Sequence, residues 1–215
     1  MKKPVALLFA FILAVSLAAC GTGPSDAGLN AQTDGSAADS ETTAPAAPDT
    51  TPDDGAGDGG ILIAYFSWSG NTETLAGIIQ TETGGDLFAI EPETPYTDDY
   101  NALLDQAQQE QADQARPALA ARVENWAQYD TIFVGYPIWW GDAPMIVLSF
   151  LESYDCSGKT IVPFCTSGGG GFGASVDSVT NSAAGAEILD GFHVSGSGAA
   201  HAGEDVAAWI DGLGL

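Results

Sequence analysis

Basic residues are scarce in this chain of 215 residues, which has five lysines and arginines against 29 acidic residues. From residue 60 onward, 21 acids against Arg116, Arg122 and Lys159 give a net charge of −18. A negative field of that strength argues against a nucleic-acid partner and against direct contact with anionic lipid. The charge alone does not identify what the protein binds.

Cysteine and histidine are rarer still, with three and two residues. Cys156 precedes a predicted strand at 160–165 and Cys165 ends it, so a rise of about 3.3 Å per residue keeps the two thiols beyond disulfide reach. We therefore predict that both thiols are free and at least partly buried. His193 and His201 are too few and too poorly spaced to form a metal site.

The apolar segment near the start of the chain has a core at 5–15, which is shorter than the about 20 residues that a membrane span needs. It follows two lysines and precedes Leu-Ala-Ala-Cys, which ends at Cys20. This order is typical of a secretory signal, and its ending resembles a bacterial lipobox. We expect residues 1–20 to be a lipoprotein-type signal peptide. Lipidation of Cys20 would tether the exported protein to the cell membrane through that anchor alone. An ordinary cleaved signal is the alternative.

Residues 21–59 are mostly Gly, Ser, Thr, Ala, Pro and Asp, with almost no side chain to bury. Such a composition cannot offset the entropy lost on ordering, so we predict a disordered acidic linker. As a flexible chain it would span roughly 35 Å from end to end. Residues 60–215 are long enough for a single domain with its own core.

From residue 60, strand-like and helix-like patterns alternate. Strands are predicted at 61–66, 86–91, 131–135, 160–165 and 187–194, and helices around 75–79 and at 98–115, 143–151, 173–184 and 203–213. One side of the second helix carries Tyr100, Leu103, Leu104 and Ala107. Strict alternation predicts an α/β fold with a parallel sheet covered on both sides. Ligands bind at the carboxyl ends of such strands, where the loops 67–72, 136–142 and 166–173 converge.

The first of these loops contains the segment FSWSGNT, at 66–72, just before a predicted helix. A helix N-terminus offers unpaired N–H groups and a partial positive charge, so it binds anions without a basic side chain. Ser and Thr hydroxyls can donate as well, and Gly70 allows close approach. The lysine of a P-loop is missing, which favours one phosphate over a triphosphate. A capped turn of small polar residues is the alternative.

The second loop, GYPIWWGDAPM at 135–145, places Trp139 and Trp140 just after the third predicted strand. Adjacent tryptophans usually cover a flat surface or fill an interface. An aromatic surface beside a phosphate site indicates a planar ring that carries one phosphate. Core packing or a protein contact would also explain the two indoles.

Three segments together resemble the flavodoxin-like FMN-binding proteins, specifically small flavodoxin-like domains of bacterial secreted proteins and lipoproteins. FSWSGNT resembles the phosphate loop, YPIWWG the loop beside the isoalloxazine ring, and PFCTSGGGGFG the loop on the other side of that ring. The resemblance covers residues 60–215. It implies a three-layer αβα sandwich around a five-stranded parallel sheet of order 2-1-3-4-5, with one noncovalently bound FMN.

Position by position, the resemblance implies three groups of cofactor contacts. The phosphate would be held by Ser67, Ser69, Gly70, Asn71 and Thr72, with Trp68 near the ribityl chain. The ring would be bordered by Pro137, Ile138, Trp139, Trp140 and Gly141. Its far edge would be closed by backbone N–H groups of Thr166, Ser167, Gly168, Gly169 and Gly170. Relatives commonly carry histidine at the position of Ser167, so we expect this departure to alter the redox tuning more than the binding.

Two functional classes are open within this resemblance. One is an electron carrier whose acidic surface docks on basic patches of an unidentified redox partner. The other is an FMN-dependent oxidoreductase that reduces quinones or similar small-molecule acceptors with NAD(P)H. FMN carries the chemistry in both. No side chain is marked out as an acid or base, so we name no catalytic residue.

Two alternatives lie outside flavin chemistry. Asp190 and His193 resemble the Asp-x-x-His of SGNH-type serine esterases, in which Ser67 or Ser69 would be the nucleophile. The Gly-Asp that precedes the serine in those enzymes is missing here, and Asp190 and His193 lie in a predicted strand. The other alternative is a flavin-free lipoprotein that keeps the fold as a binding module.

Overall fold

The computed structural model describes residues 59–215. The predicted signal peptide at 1–20, the lipidation site Cys20 and nearly all of the 21–59 linker lie outside the described residues. Within the described range, no helix is both long enough and apolar enough to cross a membrane.

A parallel sheet forms the centre of the fold. Its strands are β1 (Gly60–Tyr65), β2 (Asp86–Ala89), β3 (Tyr129–Pro137), β4 (Thr160–Ser167), β5 (Glu187–Ile188) and β6 (Phe192–Ser195). The order is β2-β1-β3-β4-β5, and β6 pairs with β4. The predicted order 2-1-3-4-5 is therefore confirmed. β3 and β4 each end two residues later than the sequence pattern indicated, at Pro137 and Ser167. The first residues of the loops predicted at 136–142 and 166–173 therefore belong to the strands.

The last strand is interrupted, so the prediction of one continuous strand at 187–194 is wrong. Ile161 of β4 pairs with Ile188 of β5, but Phe164 pairs with Phe192 of β6. Three residues, 189–191, thus lie opposite two residues of β4, which is a bulge in the ladder. One of those two is Pro163, whose nitrogen has no hydrogen to donate. The physical reason for the break is therefore in the neighbouring strand.

Within residues 59–215, five α-helices cover the sheet. They are α1 (Asn71–Thr83), α2 (Tyr100–Ala112), α3 (Met145–Glu152), α4 (Ser175–Ser182) and α5 (Gly203–Leu213). Two short 3₁₀ helices occupy Trp126–Gln128 and Gly196–His201, and the sequence pattern indicated neither. α2 begins at its cap Asp99, whose carboxylate accepts a hydrogen bond from the N–H of Ala102 at 2.8 Å. This cap thus defines a helix start that periodicity placed only approximately.

The two faces of the sheet bury separate cores. One core joins Ile63, Phe133 and Phe164 to α1 and α5, and the other joins the opposite faces of the same strands to α3 and α4. The three-layer αβα arrangement predicted from the sequence is therefore present. Each fully buried Phe or Ile stabilises the fold by about 1.5–3 kcal/mol. Gly135 leaves room on β3 for the ring of Phe164, which a methyl group there would meet.

Cys156 and Cys165 are both free and buried, as predicted. Burial raises the pKa of the Cys165 thiol to about 12, and burial also raises the pKa of Cys156. Both sulfurs are therefore neutral thiols near neutral pH, which is the unreactive form.

Candidate functional site

A cleft of about 640 Å³ opens at the carboxyl ends of β1, β3 and β4. It is lined by Trp68, Ser69 and Asn71, by Tyr100, Leu103, Leu104 and Ala107 of α2, by Pro137, Ile138, Trp139 and Trp140, by Thr166, Ser167 and Gly168, and by Ser195, Gly196 and Ser197. The three loops predicted to converge therefore do so, around one cavity. Its volume lies within the range of about 300–1,000 Å³ that is usual for ligand sites.

Several residues of the predicted site lie on these loops without lining the cleft. They are Ser67, Gly70, Thr72, Gly141, Gly169 and Gly170. Ser67 borders a second cavity of about 330 Å³, and Trp68 lines both cavities. The contacts of these residues with a cofactor therefore stay predictions.

The first loop leaves donors available at the start of α1. Its cap residue Gly70 has a left-handed φ of 83°, which favours glycine, and has no side chain to accept from the first turn. Among residues 59–215, no side chain caps the N–H groups of that turn, which leaves them available to another acceptor. The hydroxyl of Ser67 is buried and has no hydrogen-bond partner among residues 59–215. An unsatisfied buried hydroxyl costs about 1–3 kcal/mol, which a bound polar group would remove.

Negative charge is present on only one side of this helix start. Glu73, in the first turn of α1, lines the second cavity together with Glu91. Burial, and then the charges of Glu73 and Glu91, raise the pKa of Tyr65. The other side, with Ser69 and Asn71, faces the cleft, whose described lining contains no acidic side chain. An anion at this helix end is therefore favoured on the cleft side.

A buried pair of hydroxyls joins the first loop to the third. The Oγ1 atoms of Thr72 and Thr166 lie 2.9 Å apart, and the two residues are 1% and 4% exposed. On the surface of the same loop, the side-chain amide of Asn71 donates to Ser69 Oγ at 3.1 Å. The threonine pair therefore fixes the relative position of two walls of the cleft, whatever else Thr72 contacts.

The second loop holds its two indoles differently. The ring of Trp139 packs edge-on against Phe66 and Tyr96, at centroid distances of 5.2 and 5.3 Å, so it belongs to the core as well as to the cleft wall. Trp140 is 49% exposed, and its Nε1–H donates to the carbonyl of Leu104 at 2.9 Å. Trp140 thus stands at the rim of the cleft, held there by α2. Core packing, one of the two interpretations of the tandem tryptophans, thus applies to Trp139, and a contact of Trp140 with a planar ring stays a prediction.

A further pair of aromatic rings borders the mouth of the cleft. The Nε1–H of Trp68 donates to the carbonyl of Thr97 at 3.0 Å, and its ring lies 6.2 Å from that of Tyr100. The hydrogen bond holds the indole against the segment before α2. The apolar side of α2 was recognisable in the sequence, but only the packed structure shows that it faces a cavity.

The third loop contacts a histidine of the last strand. Ser167 Oγ lies 2.9 Å from His193 Nε2 and accepts a hydrogen bond from the N–H of Gly169 at 3.0 Å. A histidine side chain thus reaches Ser167 from β6, behind the cleft wall.

The same contact bears on the esterase alternative. Ser67 has no partner in the described residues, Ser69 accepts from Asn71, and His193 is engaged with Ser167. The structure therefore does not assemble the serine–histidine pair that this alternative requires.

The three basic side chains of the described range lie away from the cleft. Arg116 pairs with Glu152 at 2.7 Å, Lys159 donates to the carbonyl of Tyr129, and Arg122 lies over the ring of Tyr154. The hydrogen bond from Arg116 is the largest cause of the lowered pKa of Glu152. Within residues 59–215, N–H groups and hydroxyls are therefore the donors that remain for an anion in the cleft.

Fold and site together define a doubly wound α/β protein with a ligand cleft at the carboxyl edge of its sheet. A family model for flavodoxin matches residues 60–213. The chain therefore belongs to the flavodoxin family.

Solved structures agree with this assignment. A candidate flavoprotein from Bacteroides eggerthii is 34% identical, with 74% of this chain and 99% of that chain aligned and a TM-score of 0.64. One from Bacteroides uniformis is also 34% identical, with 71% and 98% aligned and a TM-score of 0.64. A Lactobacillus acidophilus flavoprotein, solved in complex with FMN, shares the fold at 22% identity, with 74% and 100% aligned and a TM-score of 0.59. Among curated proteins, none matches this chain.

Proposed function

We propose that this protein binds FMN in the cleft and transfers electrons as an exported protein with a lipid anchor. The observation that carries the proposal is the cleft itself, which lies between a helix start with free N–H groups and a rim of aromatic rings. Membership of the flavodoxin family supports FMN as the cofactor. The related fold from Lactobacillus acidophilus is described in complex with FMN, which points the same way.

The residues present fit the two ends of such a cofactor. Ser69, Asn71 and the N–H groups at the start of α1 would hold the phosphate, because they provide donors on a side without acids. Trp139 and Trp140 would border the ring, because indoles offer flat apolar faces, and Trp68 would lie near the ribityl chain. Bound FMN would supply one- and two-electron transfer. The protein's part is to orient the ring and to limit its contact with water.

The carrier role is favoured by the charge of the domain. A net charge of −18 from residue 60 onward provides long-range attraction to a basic partner, and this attraction weakens as salt rises. Electron exchange with such a partner should therefore slow markedly between low and high ionic strength. Exchange that is insensitive to salt would contradict a carrier that docks through its acidic surface.

The oxidoreductase role has an observation of its own. Tyr100 and Trp140 are 60% and 49% exposed at the mouth of the cleft, where a planar acceptor such as a quinone could stack on them. Steady-state turnover with NAD(P)H and a quinone separates the two roles, since a carrier shows none without its partner protein.

Export and anchoring rest on residues 1–20, where Leu-Ala-Ala-Cys ends at Cys20. We expect the full-length protein in the membrane fraction of a bacterial host and the Cys20→Ser variant in the soluble or unprocessed fraction. Equal membrane association of both, with no lipid mass on the mature N-terminus, would contradict a lipid anchor.

The test of cofactor binding is the visible spectrum of the purified protein. A flavin spectrum, with FMN identified by mass spectrometry after denaturation, is the expected result. Apoprotein should regain the spectrum on addition of FMN, and riboflavin, which lacks the phosphate, should bind more weakly. Protein that stays colourless after incubation with FMN would refute the proposal.

A further inference from the structure

The segment that follows β6 forms a wall of the cleft that no motif indicated. Ser195 ends β6 and pairs with Ser167 of β4, and the 3₁₀ helix Gly196–His201 begins directly after it. Ser195, Gly196 and Ser197 all line the cleft. A fourth segment therefore joins the three loops at this site.

This segment lies beside the start of α1, which is the part of the cleft where we propose that the phosphate binds. A Cβ on Gly196 would be 2.9 Å from the side-chain nitrogen of Asn71, the first residue of α1. A side chain at position 196 would therefore force the amide of Asn71 to shift. Asn71 in turn donates to Ser69. The first loop and the segment after β6 thus face each other across the start of α1.

The two serines of this segment make different hydrogen bonds. Ser195 Oγ accepts from the N–H of Gly198 at 3.2 Å, so it caps the 3₁₀ helix. Ser197 is exposed in the cleft, and its Oγ has one neighbour in the described structure, Ser195 Oγ at 3.5 Å. Replacing Ser195 would therefore disturb the helix cap, whereas replacing Ser197 removes only the long contact with Ser195 Oγ at 3.5 Å.

We propose that Ser197 is a phosphate-binding residue, which donates its hydroxyl to the FMN phosphate from the side opposite Ser69. The inference rests on the proposed function. Residues 60–215 carry a net charge of −18, and the lining of the cleft contains no lysine or arginine among residues 59–215. Each additional neutral donor then counts, since hydrogen bonds to a charged group are about twice as strong as neutral ones.

The experiment compares FMN with riboflavin on the full-length protein and its Ser197→Ala variant. Titration of flavin fluorescence gives both dissociation constants. We expect the variant to lose FMN affinity about tenfold, which corresponds to about 1.4 kcal/mol. Its riboflavin affinity should be unchanged, because riboflavin has no phosphate for the hydroxyl to reach. The melting temperature of the apoprotein should change little, since this exposed hydroxyl makes only a 3.5 Å contact with Ser195 Oγ in the described structure.

Two further variants sharpen the result. Ser182→Ala makes the same change at the end of α4, where the hydroxyl donates to Glu152 away from the cleft, and it should bind both flavins as the wild type does. Gly196→Ala should weaken FMN binding more than riboflavin binding, because its methyl group displaces Asn71.

The outcomes separate this inference from the proposed function. Wild-type protein that binds neither flavin refutes the proposed function. If the wild type binds FMN and Ser197→Ala binds it equally well, or loses both flavins to the same extent, the assignment of Ser197 to the phosphate is overturned. A selective loss of FMN affinity supports it.

Discussion

The buried hydroxyl pair of Thr72 and Thr166 allows a quantitative test of how the cleft is held together. The oxygens lie 2.9 Å apart with both residues almost fully buried, and neither has another hydrogen-bond partner in the described structure. Thr72→Val keeps the shape of the side chain but leaves the hydroxyl of Thr166 buried and unpaired. A buried hydroxyl without a partner costs about 1–3 kcal/mol, so the free energy of unfolding should fall by that amount.

The Thr166→Val variant should lose a similar amount, because it leaves Thr72 unpaired instead. The double variant replaces both hydroxyls by methyl groups and leaves no orphan, so we expect it to be more stable than either single variant. The assay is urea unfolding of the apoprotein, with the slope of the transition checked for constancy. Thr180→Val, an exposed position on α4, is the control and should change the free energy by less than about 0.5 kcal/mol.

Additivity would refute the reasoning. If the double variant loses the sum of the two single losses, the hydroxyls are not coupled, and the contact does not tie the first loop to the third. If the reasoning holds, the single variants should also bind FMN more weakly, since two walls of the cleft lose their fixed spacing.

Two other predictions concern ionisable groups. Burial raises the pKa of the Cys165 thiol to about 12, and Cys156 is buried as well. Neither thiol should therefore react with iodoacetamide at pH 8 until the protein is unfolded, which mass spectrometry can measure. Rapid labelling of the folded protein would contradict this. Arg116 lowers the pKa of Glu152 in the folded protein. The Arg116–Glu152 pair therefore stabilises the fold above the pKa that Glu152 has in the unfolded chain, and this stabilisation is lost as pH falls through the pKa of Glu152 in the folded protein. Both side chains are over a third exposed, so Glu152→Gln should lower the free energy of unfolding by less than about 1 kcal/mol at neutral pH. At strongly acidic pH the variant should leave the free energy of unfolding unchanged, and urea titrations at the two pH values measure both.

The fold was accessible from the sequence because its signals are local. Ile61 to Ala64 are apolar without alternation, which is typical of a strand covered on both faces, and that strand is central in the sheet. Alternation of such strands with helical segments leaves few topologies, because crossovers between parallel strands are right-handed. The same alternation places every strand-to-helix loop at one edge, so the general location of the cleft followed from the order of elements alone.

The details of the site depend on contacts between residues distant in sequence. Thr72 and Thr166 lie 94 positions apart, and the approach of Gly196 to Asn71 joins the start of the domain to its last quarter. Periodicity describes one element at a time, so it cannot report such pairs. α2 shows the same limit, since a helix that packs on a core and a helix that faces a cavity have the same pattern of apolar residues in the sequence.

By itself, the sequence determined the class of fold, the strand order that the family resemblance implied, the three loops at the carboxyl edge and the free state of Cys156 and Cys165. The tertiary structure alone decided which side chains meet there. The bulge opposite Pro163 shifts the pairing of the last strand by one residue, and a shift of one residue exchanges the two faces of a strand. His193 then lies on the face of β6 that meets Ser167. That Ser197, in the segment after β6, lines the cleft is likewise seen only in the folded chain.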